Sequence, residues 1–195
     1  MHEHDCRRLA EPSSIRRAVA IALTLLLGGA CGRKAETPAN LNAANKVAVR
    51  MVRLYYESPQ MLLVAEPRNI PLPESPAAAI PMVIRELMKG PAASPAATAL
   101  RLFPADTVVR GAYLLPGGTV VVDLGGTTLT QGWGTGSHQE LMAAESLVQT
   151  LTANFAEAQR VRIVVNGTPA ETLAGHVSLS RSLVPMPALV DPRGR

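Results

Sequence analysis

Aromatic residues are scarce in this sequence, at 3% with a single Trp, and Lys and Arg form neither a long run nor a stripe interleaved with aromatics. Nucleic acid is therefore not an expected partner, although the isoelectric point is about 9.5. Cysteine is scarcer still, with only Cys6 and Cys31. The longest apolar run, Ala18 to Ala30, has about a dozen residues, whereas a helix crossing a bilayer core needs about 20. It is too short to span a membrane, which leaves export as its reading.

What surrounds the run fits export. Arg7, Arg8, Arg16 and Arg17 precede it, and the small residues Gly28, Gly29 and Ala30 close it before Cys31, the order of a secretory signal. "LTLLLGGACGRK" (23–34) resembles a bacterial lipobox, with its leucine at Leu27 where the pattern usually has it one place later, at Gly28. The resemblance implies that residues 1–30 are a lipoprotein signal peptide and that Cys31 accepts diacylglycerol as the new N-terminus. An ordinary secretory signal with a chance cysteine and an uncleaved anchor remain open. Cleavage would remove Cys6 and leave Cys31 as the one thiol, so no internal disulfide could form, and acylation would remove an exposed reactive group from an oxidising space. Lys plus Arg would fall from 19 to 15 and Asp plus Glu from 15 to 12, a formal charge of +3. Gly32 stands where an aspartate often marks retention in an inner membrane, so an outer membrane is expected if the cell has two.

Residues 31–45 are polar, small and without period, and read as a flexible tether. A domain is expected over 46–183, followed by a C-terminal tail, 184–195. "KVAVRMVRLYYES" and "MLLVAEPRNI" predict a first hairpin. Ile80, Val83, Ile84, Leu87 and Met88 fall on one helical stripe, with Ser75 and Pro76 suited to its start, Pro81 offering a later one, and Gly90-Pro91 ending it. Pro116-Gly117-Gly118 between two β-rich runs predicts a second hairpin, with Val120, Val122 and Leu124 on one face. Ser137 and Glu140 have capping-box spacing ahead of a helix whose inward stripe reads Leu141, Ala144, Val148, Leu151 and Phe155, with Glu145, Gln149 and Thr152 away from it. Val161, Ile163 and Val165 then mark a strand that ends at Asn166-Gly167, and "LAGHVSLSRSL" reads as short strand or edge structure. The order is helix-strand-strand-helix-strand preceded by a hairpin, an α+β fold in which two helices pack on one face of a small mixed β-sheet.

The blocks "ELMKGP" (86–91), "LFPADT" (102–107), "GTVVVDL" (118–124), "ESLVQTLT" (145–152), "VRIVVNG" (161–167) and "LAGHVSLSRSL" (173–183) resemble, in order and spacing, the GerMN domain of sporulation and germination lipoproteins. Asp106, where the family often has glycine, and Gly125, where serine is common, depart from its pattern. The resemblance implies a fold related to the ring-building motifs of envelope machines. It also implies a role in assembling an envelope complex and not in catalysis, but it names no partner; the expected mechanism is docking of a sheet edge or helix face onto an envelope protein or further copies of the chain, with no cofactor.

Candidate chemistry is thin. "SHQE" places His138 and Glu140 as in the H-x-E of zinc deaminases, but no P-C-x-x-C accompanies it. His138, His176, Asp123 and Glu140 have no diagnostic metal spacing, so no metal is expected. Ser137, His138 and Asp123 carry the letters of a triad, yet adjacent residues on a helix point about 100° apart. The alternative to an assembly module is a small glycan-acting or hydrolytic domain using Asp123, His138 and Glu140. The glycines at 132, 134 and 136 could present amides to an anion, and Trp133 between them is either partly buried or a contact for a partner.

Overall fold

The computed structural model describes residues 47–92, 99–131, 133–134 and 136–194. Cys31, the signal-like stretch and the tether read over 31–45 lie outside the described residues.

Strand β1 (Val47–Glu57) and strand β2 (Leu63–Pro73) pair antiparallel in unbroken register, Val47 opposite Pro73 and Glu57 opposite Leu63. Helix α1 (Pro76–Met88) follows and starts at Pro76, the earlier of the two expected starts. The N–H groups of Ala78 and Ala79 both donate to Ser75 O, at 3.1 and 3.0 Å, so the first turn is closed before Pro81, whose missing N–H removes one rung only. Its stripe of Ile80, Val83, Ile84, Leu87 and Met88 is buried as predicted, and Gly90 ends it at φ +86°.

Strands β3 (Val108–Leu115), β4 (Thr119–Gly125), β5 (Arg160–Val165) and β6 (Thr168–Pro169) form a four-stranded sheet in that order. The β4–β5 pair is parallel and the other two are antiparallel, so the sheet is mixed. Gly118, in the β3–β4 turn, has φ +76°, and a Cβ there would meet Glu157 O at 2.8 Å, so both conformation and space require glycine. A one-turn helix, α2 (Thr127–Thr130), was not expected in the glycine-rich stretch. Asp106 accounts for it, since its Oδ2 accepts the Thr128 N–H at 2.8 Å. Gly125, the other departure from the family pattern, has the space of its absent Cβ taken by Asn166 Oδ1 at 2.9 Å.

Helix α3 (Ser137–Asn154) is the crossover between the parallel strands β4 and β5. Two expectations for it need correction. Its N-cap is Gly136, and Ser137 is the exposed first helical residue with no capping bond, because the Glu140 carboxylate is committed elsewhere. Nor is it a one-sided amphipathic helix. Ala144, Val148, Leu151 and Phe155 are buried, but so are Glu145 and Gln149, while Leu141 is only half-buried. The reason is that α3 is enclosed: α1, β5, the edge of β1 and the C-terminal segment all lie against it.

"LAGHVSLSRSL" forms no strand, only isolated bridges, Thr172 with Ser178 and Leu183 with Val161. The stretch beyond 183, read as a tail, is packed: Met186 N–H donates to Glu145 Oε2 at 3.0 Å, Asp191 N–H to Leu63 O at 2.9 Å, and Val190 is buried. Both main helices pack on the four-stranded sheet, whose inward residues Val120, Val122, Leu124, Val161 and Ile163 are almost wholly buried. The architecture is the α+β one that the order of elements predicts.

Candidate functional site

Three carboxylates and two histidines carry the candidate chemistry, and the fold gives them separate tasks. Asp123, on β4, accepts the Gly167 N–H through Oδ1 at 2.8 Å, and its Oδ2 lies 3.3 Å from Arg110 Nε. It fastens the Asn166-Gly167 turn, in which both residues have positive φ. His138 does not meet Glu140. Its Nε2 lies 2.6 Å from Oε1 of Glu57, at the end of β1, beside a depression of about 410 Å³ that Leu100, Leu102 and Gln139 also line. Among the described residues, no hydroxyl or thiol is hydrogen-bonded to the His138 ring.

Glu140 is the most committed of the five. It has no exposed surface, and its Oε1 accepts the N–H groups of Leu173, Ala174 and Val177 at 3.1, 2.7 and 2.9 Å. Its Oε2 takes the His176 N–H at 2.8 Å and faces His176 Nδ1 at 2.9 Å. Burial alone would raise the carboxyl pKa, but the combined donors outweigh it and hold the group below its ordinary value. Glu140 thus anchors the 173–177 loop. Among the described residues no group of three or more His, Cys, Asp or Glu is placed to hold a metal ion. Trp133 is half-buried, its ring stacked on Phe103 with centroids 6.0 Å apart.

Two features escape a reading of the sequence. Glu145 is buried, and burial pushes its carboxyl pKa up against the opposing bonds from Met186 and Gln149. A raised carboxyl contributes stability that is fully present below the ordinary value of about 4.3 and is lost as pH rises through the folded-state value. Glu145→Gln keeps an acceptor for Met186 and removes the buried charge. Its Tm relative to the parent chain is expected to rise progressively from pH 4 to pH 8, as thermal melts would record.

The second feature is a sheet edge. Along the side of β1 away from β2, the Tyr55 N–H donates to Thr150 Oγ1 at 3.1 Å and Tyr55 O accepts from Ser146 Oγ at 2.5 Å. Asn154 takes the Arg53 N–H at 2.9 Å and donates to Arg53 O at 2.7 Å, while Glu57 O accepts from the Leu100 N–H. Ser146, Thr150 and Asn154, four apart, therefore stand in for a neighbouring strand. The helix ends there. Val47, Val49 and Met51 continue the same alternation with no such partner among the described residues and are 57%, 71% and 65% exposed. Across the hairpin, Pro67, Pro71 and Pro73 lie opposite Arg53, Val49 and Val47 on β2, so its outer edge lacks N–H donors at those three places.

A model of the Germane family, described as sporulation and spore germination, matches residues 53–171. No curated protein matches the chain. Among solved structures, a candidate lipoprotein of Clostridium perfringens is similar at 15% identity and TM-score 0.51, over 74% of this chain and 93% of that one. The tandem GerMN domains of the Bacillus subtilis sporulation protein GerM are similar at 20% identity and TM-score 0.49, over 70% and 46%. Its first GerMN domain alone is similar at 22% and 0.49, over 69% and 97%. With more than half of its length matched, from the paired strand β1 through the crossover helix α3 to the 166–167 turn that Asp123 fastens, the chain belongs to the Germane (GerMN-domain) family of sporulation and spore germination.

Proposed function

We propose that the chain is an exported lipoprotein, held at the cell envelope by acylated Cys31, whose domain binds and assembles and performs no catalysis. The observation that carries the assembly role is the open half of the β1 edge. Its main-chain groups face outward without a partner among the described residues, and edges of that kind accept an added strand. Two further observations support the reading. Asp123, His138 and Glu140 are each engaged with different partners, so they do not form one reacting centre. The segment ahead of the domain also ends an apolar run at a cysteine, which suits a lipid anchor, and two or three acyl chains hold a protein far more firmly than one. The partner is an envelope protein or further copies of the chain, at the outer membrane where the cell has two membranes.

Expression of the full chain in a bacterial host, followed by intact mass measurement of the membrane fraction, tests the anchor. The expected product begins at Cys31 and carries diacylglycerol, and Cys31→Ser is expected to leave the membrane fraction. A product that begins at Met1 and stays in the cytosol would overturn the reading.

A further inference from the structure

The two edges of the β1–β2 hairpin are unlike. On β2, prolines remove the outward donors at 67, 71 and 73, and Leu63 is bridged by Val190 of the C-terminal segment. On β1, the helix covers Arg53 and Tyr55 and stops at Asn154, leaving three outward residues, Val47, Val49 and Met51. We infer that this open edge pairs with the same edge of a second copy, antiparallel about a two-fold axis at Val49, so that two hairpins join into one four-stranded sheet. This names the surface and the partner of the assembly role proposed above and rests on that role.

Self-complementarity is what selects a second copy. An antiparallel two-fold centred on Val49 sets Val49 against itself, Val47 against Met51, and Arg50 against Ala48. The three outward residues of each strand then meet as hydrogen-bonded pairs and exchange about six main-chain bonds. Apolar side chains face apolar side chains on one face, and on the other no cation sits directly opposite a cation, which would oppose pairing. Arg50 is held back towards its own hairpin by a 3.0 Å bond to Pro73 O. The assembly is also finite. The outer edges of the joined sheet are the two proline-bearing β2 strands, which resist further strands, so the product is a closed dimer and not a fibre.

An interface this short is far smaller than a standard stable one. Its occupancy therefore depends on local concentration, which anchoring to one membrane surface raises. The 15 residues 32–46 that join Cys31 to β1 can reach at most about 50 Å when extended, enough for two anchored domains to meet edge to edge.

Variants of the full chain with one added cysteine test the register in whole cells under mild oxidation, with the parent chain reporting any bridge through Cys6 or Cys31. Val49→Cys is expected to give a disulfide dimer, since opposed residues in such a pair lie about 5.5 Å apart. Val47→Cys and Met51→Cys alone are expected to stay monomeric, being four residues out of register with themselves, and to cross-link when co-expressed. Val49→Pro is compatible with the fold, because Val49 donates nothing to β2. It is expected to abolish the Val47→Cys with Met51→Cys cross-link while leaving the thermal melt within a few degrees.

A monomeric Val49→Cys, or equal cross-linking at all three positions, would overturn the pairing. So would capture of a single protein of different mass at Val49→Cys. Mass measurement of Cys31 in the same cells separates the two readings: an acylated Cys31 with a monomeric Val49→Cys defeats the dimer and leaves the anchor standing, and a dimer with unacylated Cys31 does the reverse.

Discussion

Glu140→Ala is expected to destabilise the domain by about 3–5 kcal/mol, the range for removing one side of a buried charged network. The loss has two parts. Four main-chain N–H groups, of Leu173, Ala174, His176 and Val177, are left without their acceptor, and a cavity opens where the fully buried side chain stood. Glu140→Gln separates the parts, because it fills the volume but turns an N–H₂ group towards donors. It is expected to recover less than half of the loss, with urea unfolding as the measurement. The charge also gives a pH signature. The folded-state pKa of Glu140 is lowered, so its contribution is complete above the ordinary carboxylate value of about 4.3 and is lost as pH falls through the lower folded-state value. Stability measured from pH 7 down to pH 3 should therefore decline less steeply in Glu140→Gln than in the parent chain. Equal slopes would show that the carboxylate is not held in its charged form by the loop.

The same residue marks where sequence reading stops. Strand and helix periods are local properties, so both hairpins, both main helices and the inward faces of β4 and β5 were legible. The stripe of α1 and the Pro-Gly-Gly turn needed nothing from elsewhere in the chain. Glu140, three residues after Ser137, satisfies the local rule for a capping box, but the rule loses to four amides and a histidine more than thirty residues away. Glu145 and Gln149 fall away from the inward stripe, where polar positions on a one-sided helix are solvated, and nothing local says that a C-terminal segment returns to cover them. The partner of His138 was hidden for the same reason: Glu57 is 81 positions distant and is brought there by the hairpin. The open edge was half legible. Proline at 67, 71 and 73 marks a strand edge from sequence alone, whereas the helix that covers only part of the other edge is a fact of packing.

Combining Ser146→Ala with Thr150→Val is expected to cost about 2–4 kcal/mol even though each change leaves a side chain of similar or smaller size and no charge is lost. Tyr55 is only 5% exposed, and among the described residues its N–H and C=O are satisfied by these two hydroxyls alone. A buried main-chain group left unpaired costs about 1–3 kcal/mol, and two on one residue are not fully additive. Thr150→Val alone isolates the effect, since the two side chains have nearly the same shape and differ in one hydroxyl. A helix side chain that merely packed would tolerate it or gain from it. The readout specific to the ladder is hydrogen exchange at the Tyr55 amide, which should quicken in Thr150→Val while amides in β4 change only with the global loss of stability. Asn154→Ala should matter less than either, because Arg53 is exposed and water can replace the lost partner. The ordering Tyr55 before Arg53 follows from burial alone, and together the variants ask whether β1 is held in place as a strand by helix α3. If Thr150→Val is neutral and the Tyr55 amide stays slow, the edge is sealed by packing, and the boundary between covered and open residues at Met51 loses its physical basis.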